Sequence, residues 1–157
     1  MAYPWPLGVL VLSDRDARAD HFEASEDDMK KAADGLITSG MRAAGYKTLS
    51  LDGGWWGGGK SGKVRRNSSG FFTVNQSKFP SSGPDGNGGL LELSRYVTDR
   101  GFDFGLYTSA ASSMCSKDAG GSAGREPKDA ALFASWNICK TPSGDMTFLI
   151  ACVHACR

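Results

Sequence analysis

The chain lacks any apolar run near the ~18 residues that a membrane helix requires, so no membrane partner is expected. It also lacks a charge imbalance. Eighteen Lys and Arg face seventeen Asp and Glu, a net +1, which gives no electrostatic footing for nucleic acid or an anionic surface. Cysteine is missing from everything before Cys115. The four that exist (Cys115, Cys139, Cys152, Cys156) do not form the evenly spaced framework of a secreted mini-domain. Met1-Ala2-Tyr3-Pro4-Trp5-Pro6 has no basic residue, and the apolar stretch over 7–12 is short for a leader, so no export signal is read and the compartment stays open.

What is present suits one compact domain. A length of 157 residues, 40% hydrophobic and 22% charged, is ordinary for a globular chain. Glycine is in excess, 21 of 157 or about 13%, against the usual ~7%. The glycines cluster, which points to long shaped loops.

Ser25 with Asp28 three residues on forms a capping-box start, and Glu26 and Asp27 suit a helix N-terminus. Met29, Ala33, Leu36, Ile37, Met41 and Ala44 then recur at helical spacing up to Gly45. A strand is predicted at 46–52, with Tyr46, Thr48, Ser50 and Asp52 on one face. A loop over 53–84 follows and holds eight glycines. A second helix is predicted at 88–100, with Leu90, Leu91, Leu93 and Val97 apolar, and a second strand at 102–107. A third helix is predicted at 126–136, with Pro127 in its first turn, and an apolar run resumes at 147–153. Short turns into strands and long loops out of them are the rhythm of a parallel α/β sheet, whose binding face lies at the strand C-termini. Asp52 stands at such an end, as a sugar-binding or catalytic carboxylate or as a turn cap before Gly53.

Three local motifs compete for attention. Gly54-Trp55-Trp56-Gly57-Gly58-Gly59-Lys60-Ser61 satisfies the phosphate-loop expression, yet no helical pattern follows Lys60 to bind an anion at its N-terminus. Cys152-Val153-His154-Ala155-Cys156 offers three zinc-type ligands without a second pair, so no metal site is assigned. Asn67-Ser68-Ser69 and Asn75-Gln76-Ser77 are glycosylation sequons on the long surface loop, and without export they assign nothing.

Several ordered segments resemble the family-27 glycoside hydrolases, the α-galactosidase (melibiase) group. The helix from Met29 through Gly45-Tyr46-Lys47 is similar to that family's first barrel helix and its turn into strand two. Leu51-Asp52-Gly53-Gly54-Trp55 stands where the family carries Leu-Asp-Asp-Cys-Trp. Phe79-Pro80, Gly101-Phe102-Asp103-Phe104-Gly105-Leu106-Tyr107, Cys115-Ser116-Lys117 and Phe133-Ala134-Ser135-Trp136 follow in family order, covering roughly residues 21–137. The resemblance implies a partial (β/α)8 TIM barrel, about the first three to four βα units, and retaining hydrolysis of terminal α-galactosides with no cofactor and no metal. It implies that Asp52 binds galactose hydroxyls, and that Tyr107 and Cys115 line the pocket, the cysteine being disulfide-bonded in the family. A sugar-binding remnant would keep Asp52, Tyr107 and Trp55.

The departures from the pattern are as informative. Gly53 replaces a second sugar-binding aspartate, Gly54 replaces a cysteine, and Ala24 replaces that cysteine's partner. The family's nucleophile position falls on Gly144, with Asp145 one residue later, where a strand would turn it to the opposite face, and Pro142 stands in the place of a sugar-binding lysine. The expectation is therefore a truncated catalytic domain over 1–157, with 1–20 and 138–157 off the family pattern. It has no nucleophile and no acid/base residue, so it is inactive as this chain. The resemblance leaves galactose versus N-acetylgalactosamine, and the oligomeric state, undecided.

Overall fold

The computed structural model describes residues 9–12, 24–57, 66–109, 111–112 and 121–138. Three strands, β1 (Val9–Leu12), β2 (Thr48–Leu51) and β3 (Asp103–Leu106), form one parallel sheet in chain order. Val9 lies opposite Thr48, and Thr48 opposite Asp103. Helix α1 (Glu26–Thr38) joins β1 to β2, α2 (Leu91–Thr98) precedes β3, and α3 (Glu126–Ser135) follows it. The α/β alternation read from the sequence is thus the architecture observed.

The capping box forms as expected. The Asp28 amide donates to Ser25 Oγ at 3.3 Å, and the Ser25 amide donates back to Asp28 Oδ2 at 3.0 Å. The helix stops six residues short of its periodic pattern, because Gly40 takes φ +78° and the Arg42 amide closes onto the Leu36 carbonyl. Met41, expected in the buried stripe, lies past this stop and is 40% exposed, and Ile37 on the last turn is 44% exposed. The second helix likewise begins at Leu91 and not at 88, since Gly89 holds φ +70° against the ring of Trp136.

Alternation in β2 and β3 sorts the sheet into two faces. Leu49, Leu51, Phe104 and Leu106 are fully buried with Met29, Ala33, Leu36, Leu93 and Val97 from the helices. The other face carries Ser50 beside Gly105, where a Cβ on the glycine would come within 2.8 Å of Ser50 Oγ. Helices α1 and α2 lie side by side. Tyr96 donates its hydroxyl to Asp34 Oδ2 at 2.9 Å, and Arg100 Nε donates to Asp34 Oδ1 at 2.6 Å. Both helices therefore cover the same face of the sheet.

The long glycine-rich loop is more ordered than its composition suggests. Trp56 bridges Val74 and Arg66 bridges Phe72 in antiparallel fashion, and two short 3-10 turns, Pro80–Ser82 and Pro84–Gly86, lead into α2. Arg66 fastens this ribbon to α3 through two bonds to Asp129, 2.7 and 2.8 Å long. No helix of the described residues is long and apolar enough to cross a membrane.

Candidate functional site

Parallel sheets present ligands to the chain segments leaving their strands. Here those segments begin at Asp52 and Tyr107. The register pairs Leu51 with Leu106, and the Tyr107 amide donates to the Leu51 carbonyl at 2.8 Å, so the next step along each strand sets Asp52 and Tyr107 side by side. By alternation both belong to the Ser50 and Gly105 face.

Asp52 is half-buried. Its Oδ1 accepts from the Gly53 amide at 2.8 Å, and among the described residues its Oδ2 has no protein partner. Tyr107 is also half-buried, and its backbone is held at both ends. Leu51 takes its amide, and its carbonyl accepts from Trp55 Nε1 at 2.9 Å.

Trp55, grouped with the sugar-binding residues on sequence, lies fully buried. Its indole packs edge-on or tilted against Trp56, Phe72, Phe133 and Trp136 at 5.3–6.0 Å. The ring is therefore the hub of an aromatic core, and it reaches the mouth through its N–H on Tyr107 and its edge contact with Trp56. Cys115 lies outside the described residues, as do Cys139, Cys152, Cys156, Gly144 and Asp145, together with Lys60 and Ser61 of the phosphate-loop expression. Of that expression, Trp55 and Trp56 turn inward, to 0% and 9% exposure.

One residue at this mouth escaped the sequence reading. The Trp56 ring lies across Gly53, whose hypothetical Cβ would meet Trp56 Cη2 at 3.1 Å, and stands 6.5 Å from the Tyr107 ring. No side chain at position 53 fits unless that indole gives way. Only the adjacent Gly-Gly hinted at it. Among the described residues no group of three metal-type ligands converges anywhere.

With this geometry in hand, comparison with known proteins is decisive. The family described as Alpha galactosidase A matches residues 11–145. The chain belongs to that family. Relatives include alpha-galactosidase 2 of Arabidopsis thaliana, 36% identical over 76% of this chain and 27% of its own length. The alpha-galactosidase of Coffea arabica is 34% identical over 76% of this chain and 29% of its own. Among solved structures, alpha-galactosidase I of Mortierella vinacea superposes with TM-score 0.62 at 28% identity, covering 73% of this chain and 25% of that one. The Saccharomyces cerevisiae alpha-galactosidase with raffinose gives 0.61 at 31%, covering 73% and 22%. The chain thus spans about a quarter of the length of the curated relatives it matches. The family match starts inside β1, in a segment that the sequence reading set apart from the family pattern.

Proposed function

We propose that this chain is the opening part of an α-galactosidase-type (β/α)8 barrel, that it holds a terminal α-galactosyl unit at the Asp52–Tyr107 mouth, and that alone it does not hydrolyse it. The parallel sheet fits the barrel reading. Its three strands are neighbours in chain order and α1 and α2 share one face, as in a barrel or in one half of a doubly wound sheet, and the superposition on solved alpha-galactosidases at TM-scores of 0.61–0.62 favours the barrel.

The observation that carries the proposal is that Asp52 and Tyr107 each follow directly on the last paired residues of adjacent strands, Leu51 and Leu106. A carboxylate with one oxygen tied to its own turn and the other without a partner among the described residues can accept hydrogen bonds from sugar hydroxyls, and charge-assisted acceptors are roughly twice as strong as neutral ones. Tyr107 offers the aromatic wall that a pyranose needs beside it. Retaining hydrolysis takes two carboxyl groups about 5 Å apart. Among the described residues the mouth presents one, and the bidentate grip of Arg66 occupies Asp129.

Calorimetric titration with methyl α-D-galactoside should give weak saturable binding that Asp52→Ala abolishes, and an aryl α-galactoside should give no turnover. Turnover by the 157-residue chain, or binding indifferent to Asp52→Ala, would overturn the reading.

A further inference from the structure

We propose that the ribbon formed by the long loop is a glycosylation surface, which carries N-linked glycans at Asn67 and Asn75 when the chain enters a secretory compartment. Both residues open an Asn-x-Ser triplet, Asn67-Ser68-Ser69 and Asn75-Gln76-Ser77. A glycan on either triplet has to be accommodated by the fold, and both triplets are presented in the same way.

In each case the side-chain carbonyl is turned inward and the amide nitrogen is left over. Asn67 Oδ1 accepts from the amides of Ser69 at 3.1 Å and Phe71 at 3.0 Å. Asn75 Oδ1 accepts from the Ser77 amide at 3.1 Å. Among the described residues neither Nδ2 has a hydrogen-bond partner, and Ser68, Ser69, Gln76 and Ser77 are exposed. The backbone beneath is firmly held. Lys128 donates to the Ser69 carbonyl, and the Asn75 amide donates to the Trp55 carbonyl at 2.8 Å. The two asparagines also border one polar cleft of about 500 Å³, whose walls include Thr73, Asp85 and Asn87. A hydrophilic core sugar on either residue meets hydroxyls, amides and a carboxylate there, with Val74 as the one large apolar side chain in the lining.

The chemistry balances with one co-reactant, a lipid-diphosphate-linked oligosaccharide. Asn Nδ2 forms a bond to the anomeric carbon, the bond from that carbon to the diphosphate oxygen breaks, and the lipid diphosphate leaves. One Nδ2 proton is lost to base. Oδ1 keeps its lone pairs throughout, so every hydrogen bond described above survives the modification.

The test is expression of the full chain behind a cleavable secretory leader in a eukaryotic host. Intact mass is measured before and after peptide N-glycosidase, and the sites are mapped by heavy-oxygen incorporation during release. Two glycans are expected. Ser69→Ala should remove one and Ser77→Ala the other, and neither touches the asparagine carbonyls that brace the turns, so folding is preserved. Asn67→Gln and Asn75→Gln should give the same masses while weakening the turns. A secreted chain without glycans would overturn the proposal, and a glycan at one position alone would overturn it for the other.

Discussion

The indole N–H of Trp55 donates to the carbonyl of Tyr107 across 52 residues of sequence, at 2.9 Å. One buried ring therefore locates a residue of the proposed sugar mouth without touching the sugar. Trp55→Phe keeps an aromatic ring but removes the donor, leaving the Tyr107 carbonyl short of a partner. A loss of about 1–3 kcal/mol is expected in urea denaturation, together with weaker galactoside binding. Trp55→Ala also empties the hub of the aromatic cluster, at about 3–5 kcal/mol, a large share of a small domain's stability.

Arg66 and Asp129 form a buried two-pronged pair, their side chains 14% and 1% exposed. The guanidinium also lies 3.6 Å from the Phe72 ring centroid and donates to the carbonyls of Gly70 and Gly121. Asp129→Ala strands this cation in the interior and should cost about 3–5 kcal/mol by thermal or chemical melting. Arg66→Lys should not rescue it, because an ammonium cannot span two carboxylate oxygens and a ring face together.

Glu26 links the start of α1 to the 3-10 turn at Pro80–Ser82. It accepts from Lys30 Nζ at 2.6 Å and from the Ser81 amide at 3.0 Å. Burial pushes its pKa up, but the bonds from Lys30 and Ser81 outweigh burial and hold it below its ordinary value. Ser25 lowers Asp28 in the same direction through its hydroxyl and its amide. A lowered carboxyl stabilises the fold above its unfolded pKa, and that stabilisation is lost as pH falls through the folded value. Urea midpoints should thus drop progressively below about pH 4.3, the usual glutamate value. Glu26→Gln should be less stable at neutral pH and flatter in acid.

Gly89 is expected to tolerate no side chain. Its φ of +70° disfavours L-residues, and an added Cβ would collide with the Trp136 indole that packs on Trp55. Gly89→Ala should destabilise by about 1–3 kcal/mol, and near-ultraviolet dichroism should show disturbed tryptophan packing. Gly35→Ala, where a Cβ meets nothing within 4 Å inside α1, should be neutral or stabilising in the same assay.

Local signals were legible where a single rule governed. The Ser25–Asp28 capping box, the α3 start at Glu126-Pro127 and the two-residue pitch of β2 and β3 follow from nearby residues alone. The strand ends that bring Asp52 and Tyr107 together were legible for the same reason. Hydrophobic spacing failed past Thr38, because a left-handed glycine decides where a helix ends whatever lies beyond it. Strand β1 went unread, since four apolar residues carry no periodicity and become a strand only against β2. Trp55 was grouped with the sugar-binding residues through the family resemblance. Its packing partners Phe133 and Trp136 lie in a segment that no local pattern connects to it.

The tie between Arg66 and Asp129 has a consequence for biosynthesis. The two residues leave the ribosome 63 positions apart, so the glycine-rich ribbon is made long before its anchor. Until α3 emerges, the guanidinium has no carboxylate and Lys128 cannot reach the ribbon's corner. A nascent chain arrested before α3 has left the ribosome should therefore be cut by proteases between the second and third strands, and the same stretch should become resistant once α3 has emerged.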